Sequence, residues 1–222
     1  MNLQLVSPFK ICPYKCPFCM AKGIEENSFS DDFYFQNKKE YLSKLVKIVE
    51  ENDIKTIVFT GSTEPTLFPK WIEDCSEILK EKCPAVKREI QTRNYTYSNS
   101  DFDVVAFSIY QKLKTFPLIN NVINRYVFIY NKELTIDDII NIRKNNKEVQ
   151  LTVKILVSSS WNTSNVNEWI KENKKVFSSK EIEILKENNV RYDEDCSIAT
   201  GRYIIYRCDG NIYNSWSEKK KN

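Results

Sequence analysis

Short apolar runs of β-forming residues recur along this chain, and amphipathic stretches separate most of them. No other feature narrows the fold as much. The runs at 3–6, 56–60, 88–92, 104–109, 125–130 and 151–157 are rich in Val, Ile, Phe and Tyr. Several are nearly unbroken, as strands buried on both faces are. Between them, residues 37–52 place Tyr41, Leu42, Leu45 and Val49 on one helical face. Residues 69–82 place Ile72, Cys75 and Leu79 inward behind Pro69, which suits a first helical turn. Thr135 with Asp138 predicts a capped helix over 136–146, and Ser164 predicts a cap for 165–174. Ser178 with Glu181 predicts a capping box before a helix ending near Asn188. The third-to-fourth and fourth-to-fifth connections are less clearly helical.

Strands that alternate with helices pair in parallel through right-handed crossovers. The last stretch departs from the alternation. Residues 203–207, the turn residues Cys208, Asp209, Gly210 and Asn211, and residues 212–216 read as a hairpin. The predicted fold class is α/β: a partial (β/α)6 TIM-like barrel of parallel strands with a C-terminal β-hairpin. One domain is expected over 1–222, with the barrel core at 1–190 and the hairpin and tail at 191–222. In such barrels the site lies at the C-terminal ends of the strands.

Among 222 residues there is no histidine. That excludes a Ser-His-Asp triad, a Cys-His nucleophile pair and imidazole ligation of a metal. The 33 basic residues nearly balance the 30 acidic ones, so no basic footprint points to nucleic acid. Lys219, Lys220 and Lys221 read as a solvated terminus. No apolar run approaches the roughly 20 residues that span a bilayer, and no membrane partner is expected. Residues 1–19 lack the charged and then apolar pattern of a secretory signal. The expected location is therefore the cytoplasm, where thiols stay reduced and clustered Cys points to metal or catalysis.

The chain has seven cysteines, and Cys12, Cys16 and Cys19 fall within eight residues directly after the first strand. Three thiolates at that spacing can wrap one metal centre, but they do not complete a four-ligand zinc site. Cys75, Cys83, Cys196 and Cys208 are distant in sequence and read as structural. A four-iron cluster held by three cysteines leaves one iron open to a non-protein ligand. A zinc or iron–sulfur binding module without catalysis is the rival reading.

This motif resembles that of the radical S-adenosylmethionine (radical SAM) superfamily, C-x3-C-x-aromatic-C, with Phe18 in the aromatic slot. After the second run, Gly61, Ser62, Thr63, Glu64 and Pro65 resemble the family turn that binds the methionine amino group of SAM. Here Ser62 and Thr63 replace its second glycine. The resemblance implies a [4Fe–4S] cluster on Cys12, Cys16 and Cys19, with SAM on the open iron. Reductive cleavage of SAM would then yield a 5′-deoxyadenosyl radical that takes hydrogen from a substrate.

It further implies cofactor contacts at Phe18, Gly61, Ser62, Thr63, Glu64, Pro65, Thr92, Asn94, Ser108 and Leu156. Arg93, Tyr110 and Lys154 are the weaker, substrate-side candidates. Lys154 points inward only if the face bearing Thr152, Lys154, Leu156 and Ser158 is luminal. Tyr203, Tyr206, Tyr213 and Trp216 either line a substrate mouth or cover a sheet edge. The implied partners are a small-molecule, nucleotide or peptide substrate and an electron donor such as flavodoxin or ferredoxin. The alternative roles are peptide modification and activation of a glycyl-radical partner protein. Oxygen sensitivity is expected of an exposed cluster.

Overall fold

The apolar runs become strands of one open sheet. The computed structural model describes residues 1–19, 32–61, 63–158, 163–193, 203–216 and 218. Ser62, Cys196 and Lys219 to Lys221 lie outside the described residues. The strands are β1 Asn2–Val6, β2 Thr56–Thr60, β3 Lys87–Thr92, β4 Val104–Ile109, β5 Ile123–Tyr130, β6 Gln150–Ile155, β7 Arg191–Asp193, β8 Tyr203–Tyr206 and β9 Ile212–Tyr213. Their spatial order is β7-β6-β5-β4-β3-β2-β1-β8-β9. Every neighbouring pair is parallel except β8 and β9. The sheet does not close, so the partial barrel is correct in class.

Its strand count is higher than expected. β7 adds a parallel strand beyond β6, and β8 pairs in parallel with β1. β7 and the hairpin both belong to the one sheet. β7 leaves no signal in the sequence, because three residues, two of them charged, make no apolar run. The last strand ends at Tyr213, not at residue 216, because buried Arg207 pulls the chain round. Arg207 stacks on Tyr213 at 3.9 Å and donates to the carbonyls of Ser215, Trp216 and Glu218.

The helices are α1 Asp32–Gln36, α2 Lys38–Glu51, α3 Pro69–Lys82, α4 Ile136–Asn145, α5 Ser164–Asn173 and α6 Ser179–Glu187. The capping boxes of Thr135 with Asp138 and of Ser178 with Glu181 are both formed. α5 is capped by Thr163 rather than by Ser164, which becomes its first residue. A hydroxyl stands at both positions, and only the backbone geometry chooses between them. Neither of the two weak connections is helical. Tyr95, Tyr97, Leu113 and Phe116 pack there against the core instead.

Alternation along the strands separates two faces. Leu3, Leu5, Ile57, Phe59, Ile90, Val105, Phe107, Tyr126, Phe128, Leu151 and Val153 pack with Leu45, Trp71, Ile139 and Leu185 from α2, α3, α4 and α6. The hairpin is fastened to this helical layer as well. Tyr206 stacks on Tyr41 at 4.7 Å and donates to its carbonyl, while buried Cys208 donates to Val6 O. Cys75 and Cys83 are also buried, on or beside α3. The opposite face carries Gln4, Glu89, Gln91, Arg125, Thr152 and Lys154. It is covered at one side by Tyr213 and Trp216, whose indole N–H donates to Gln4 at 2.7 Å. These two aromatics cover the sheet rather than line an open mouth.

Candidate active site

Parallel pairing brings the C-terminal ends of the strands to one rim, and the motif residues follow those ends. The segment with Cys12, Cys16 and Cys19 leaves β1, and all three are half-buried and free of disulfides. The Cys12 thiol faces Tyr14 O at 3.7 Å, and the Cys19 N–H donates to Cys16 O at 3.2 Å. Among the described residues no three His, Cys, Asp or Glu side chains are gathered into a metal-holding group. The loop thus carries the three thiols together along the chain without converging them on one point.

The turn after β2 is organised by Glu64, which is 5% exposed. Its Oε1 accepts from Thr66 N (3.2 Å), Thr66 Oγ1 (2.9 Å) and Thr92 Oγ1 (2.6 Å), and its Oε2 accepts from Arg93 N (2.9 Å). A carboxylate offers about four acceptor positions. Oε1 is saturated, whereas Oε2 keeps capacity for one further donor. Glu64 also caps the 3-10 turn Pro65–Leu67, in which Pro65 is the first residue. Asn94 joins the same knot, donating from its backbone to Thr92 Oγ1 and from Nδ2 to Thr66 Oγ1. The turn after β2 and the end of β3 are thereby locked together.

Arg93 then reaches the cysteine loop. Its Nη1 donates to Cys16 Sγ at 2.8 Å, and its guanidinium lies 3.9 Å from the centre of the Tyr110 ring. Burial alone would lower its pKa, but Tyr110 and Cys16 outweigh burial and hold the cation firmly charged. Tyr14 lies on its other flank at 5.9 Å. Burial, with Glu64 and Cys12 adding to it, pushes the Tyr14 phenol up.

Phe18 anchors the far end of the loop. It meets Tyr110 edge-on at 5.2 Å and Trp169 at 5.9 Å. It also packs with Leu156, Val166, Ile170 and Ile129, so α5 sits on the opposite face from the other helices. Ser108 lies on that same face by alternation, and its carbonyl accepts from Tyr95 Oη. Lys154 is on that face too, half-buried, in register with Ile129 and Asp193. That is the inward alternative of the sequence reading.

Three features of the rim were not anticipated from sequence. Trp169 follows Val166 at helical spacing, which marks a buried stripe but not its partner. The contact of Arg93 with Cys16 bridges 77 positions and leaves no local trace. Ser7 is 2% exposed and its hydroxyl has no partner among the described residues; the same holds for Thr63 at 8%. Ser7 lies against Gly61, where an added Cβ would sit 2.1 Å from Ser7 Oγ and 2.9 Å from Thr63 O.

Gly61→Ala should therefore displace the turn and destabilise the chain by about 2 kcal/mol. Ser7→Ala alone should be nearly neutral, since it removes an unpartnered hydroxyl. Adding it to Gly61→Ala should restore part of the loss. Urea unfolding of the two single variants and the double variant reads this, and an unaltered midpoint for Gly61→Ala would refute the close approach.

A cavity of about 570 Å3 lies at the other ends of the strands, lined by Arg125, Arg143, Lys147, Gln150 and Arg191. Its arginines are already committed. Arg125 pairs with Glu89 and Gln150, and Arg143 donates to the carbonyls of Asn146, Lys147, Val149 and Asn189. The motif rim remains the stronger site.

A family model described as the Radical SAM superfamily matches residues 6–167. That span contains the cysteine loop, the turn after β2 and the ends of β3, β4 and β6. No curated protein sequence matches the chain. Among solved structures, SuiB of Streptococcus suis is similar over 100% of this chain and 63% of its own, at 15% identity and a TM-score of 0.59. Coproporphyrinogen III oxidase (HemN) from Escherichia coli, described as a radical SAM enzyme, matches over 97% of this chain and 61% of its own, at 14% identity and TM-score 0.47. BtrN, solved in complex with AdoMet and 2-DOIA, covers 96% of this chain and 72% of its own, at 10% identity and TM-score 0.40. The chain thus spans 63% of the length of SuiB and 61% of HemN. The likeness to SuiB is one of fold. Among the described residues, no helix is long and apolar enough to cross a membrane.

Proposed function

Since this chain belongs to the radical SAM superfamily, whose members are enzymes, we propose that Cys12, Cys16 and Cys19 hold a [4Fe–4S] cluster at the rim of the sheet. When bound, the cluster and SAM supply reductive cleavage of the sulfonium and a 5′-deoxyadenosyl radical that abstracts hydrogen from a substrate. The donor set fits such a group. It is three soft sulfurs on one loop, none in a disulfide, in a chain without histidine. The drive to converge mutually repelling thiolates comes from the metal itself, because binding free energy is spent on folding the site.

The observation that carries the reading is the link from Cys16 through Arg93 to Glu64. It joins the two family motifs, which lie far apart in sequence, in one hydrogen-bonded assembly. In this reading Oε2 of Glu64 uses its remaining acceptor capacity for the amino group of SAM. Phe18, Leu156 and the backbone beside them hold the adenine end. Gly61, Thr63, Pro65, Thr92, Asn94 and Ser108 shape the wall between. Ser62 belongs to that set by position in sequence. Tyr110 supports Arg93.

The substrate is proposed to be a polar metabolite or nucleotide. Gln91, Thr152 and Lys154 support this, as polar side chains on the opposite face. The electron would come from a flavodoxin or ferredoxin.

The test is anaerobic reconstitution with iron and sulfide, reduction with dithionite and addition of SAM. Formation of 5′-deoxyadenosine, with a SAM-dependent change in the EPR signal of the reduced cluster, is the expected result. A protein that takes up only zinc and leaves SAM intact would overturn the reading.

A further inference from the structure

We propose that Arg93 is a positioning residue for the cluster: it donates a charged hydrogen bond to the sulfur of Cys16 and thereby raises the cluster's reduction potential. This rests on the cluster reading above and goes beyond the sequence expectation for Arg93, which was a substrate-side role.

The placement of Arg93 leaves it little freedom. Its backbone N–H is fixed on Glu64 Oε2 at 2.9 Å, which sets where the side chain begins. The guanidinium is held over the Tyr110 ring at 3.9 Å, with Tyr14 at 5.9 Å. Stacking of this kind suits the planar, delocalised cation of arginine and not the ammonium of lysine. Held there, the edge of the guanidinium directs Nη1 at Cys16 Sγ, 2.8 Å away.

The charge balance points the same way. Arg93 is half-buried, and among the described residues no carboxylate lies within ion-pair distance of its guanidinium. A half-buried cation needs an anionic partner. The atom it meets is a sulfur that carries negative charge as a thiolate ligand. Hydrogen bonds to cluster sulfurs and nearby positive charge both favour the state with one more electron, so both raise the potential. A cluster that must be reduced before SAM can be cleaved benefits from that aid.

The experiment is an EPR-monitored redox titration of the reconstituted protein without SAM, for wild type, Arg93→Gln and Arg93→Lys, with iron content measured on each. Arg93→Gln removes the charge, and the ratio of reduced to oxidised cluster at a fixed potential should fall about tenfold, or about 59 mV for a one-electron couple. Arg93→Lys keeps the charge without the stacked fork and should fall between wild type and Arg93→Gln.

A potential unchanged in Arg93→Gln at full iron content overturns the proposal. So does an unchanged SAM-free potential accompanied by weaker SAM binding, since that would assign Arg93 to the cofactor's carboxylate. If Arg93→Gln fails to load iron, Arg93→Lys decides alone: a lower midpoint than wild type supports the proposal, and an equal one overturns it. Wild-type protein that forms no four-iron cluster would instead sink the functional reading on which the inference stands.

Discussion

Replacing Cys12, Cys16 or Cys19 singly with alanine is expected to reduce cluster iron from about four per chain to near zero and to abolish SAM cleavage. Each sulfur would be one of only three protein ligands, and the chain has no histidine to substitute for a lost one. The three side chains are half-buried on a loop held by few backbone hydrogen bonds, so their removal should change the fold little. Cys75→Ala, Cys83→Ala and Cys208→Ala make the contrast. These thiols are buried at 0%, 9% and 2% exposure in the packed interior. Their loss should lower stability by about 1–2 kcal/mol, by loss of packing and for Cys208 of its hydrogen bond to Val6 O. Iron content should be unaffected. Iron and sulfide analysis after anaerobic reconstitution, with thermal melts of all six variants, separates the two groups. Iron loss in the buried group, or retention in the loop group, would reassign the ligands.

Glu64→Gln is expected to destabilise the chain by roughly 2–3 kcal/mol while leaving iron content intact. The substitution preserves shape but not acceptor capacity. If its oxygen takes the place of Oε1, the new NH2 group faces the Arg93 N–H, donor against donor. If the amide is turned, NH2 faces the donors of Thr66 and Thr92. Either way a buried group loses at least one charge-assisted bond, and the end of β3 is released from the turn after β2. For a chain of this length the melting temperature should fall by roughly 6 °C. SAM affinity should fall at least tenfold in the same variant, read by equilibrium binding to the reconstituted protein, because the carboxylate is proposed to meet the amino group. An unchanged melting temperature would show that the charge and second acceptor oxygen of Glu64 contribute nothing to stability. Unchanged SAM affinity would remove Glu64 from the cofactor site.

What could be read in advance was local. The strand runs and the α2 and α3 stripes depend on the character of residues two to four apart, and period alone declares them. The capping boxes at Thr135 and Ser178 each close over three residues. The cysteine spacing and the turn at Gly61 are also contiguous, and the superfamily match over 6–167 agrees with their resemblance. Where local signals are short or evenly balanced, neighbouring residues do not decide the structure. β7 has three residues and no apolar run, and Thr163 competes with Ser164 for one cap.

The sequence by itself therefore determined the class of fold and the motif types, because both are written in neighbouring residues. Only the tertiary structure decided how the motifs meet. Parallel register carries the ends of β1, β2, β3 and β4 to one rim, and that alone lets Arg93 touch Cys16 and Glu64 touch Thr92. The same register decides which face Lys154 occupies and sets Trp216 on Gln4, 212 positions away. Such contacts join side chains whose neighbours in sequence are unrelated. They exist only after the sheet has formed, which is why no window of the sequence contains them.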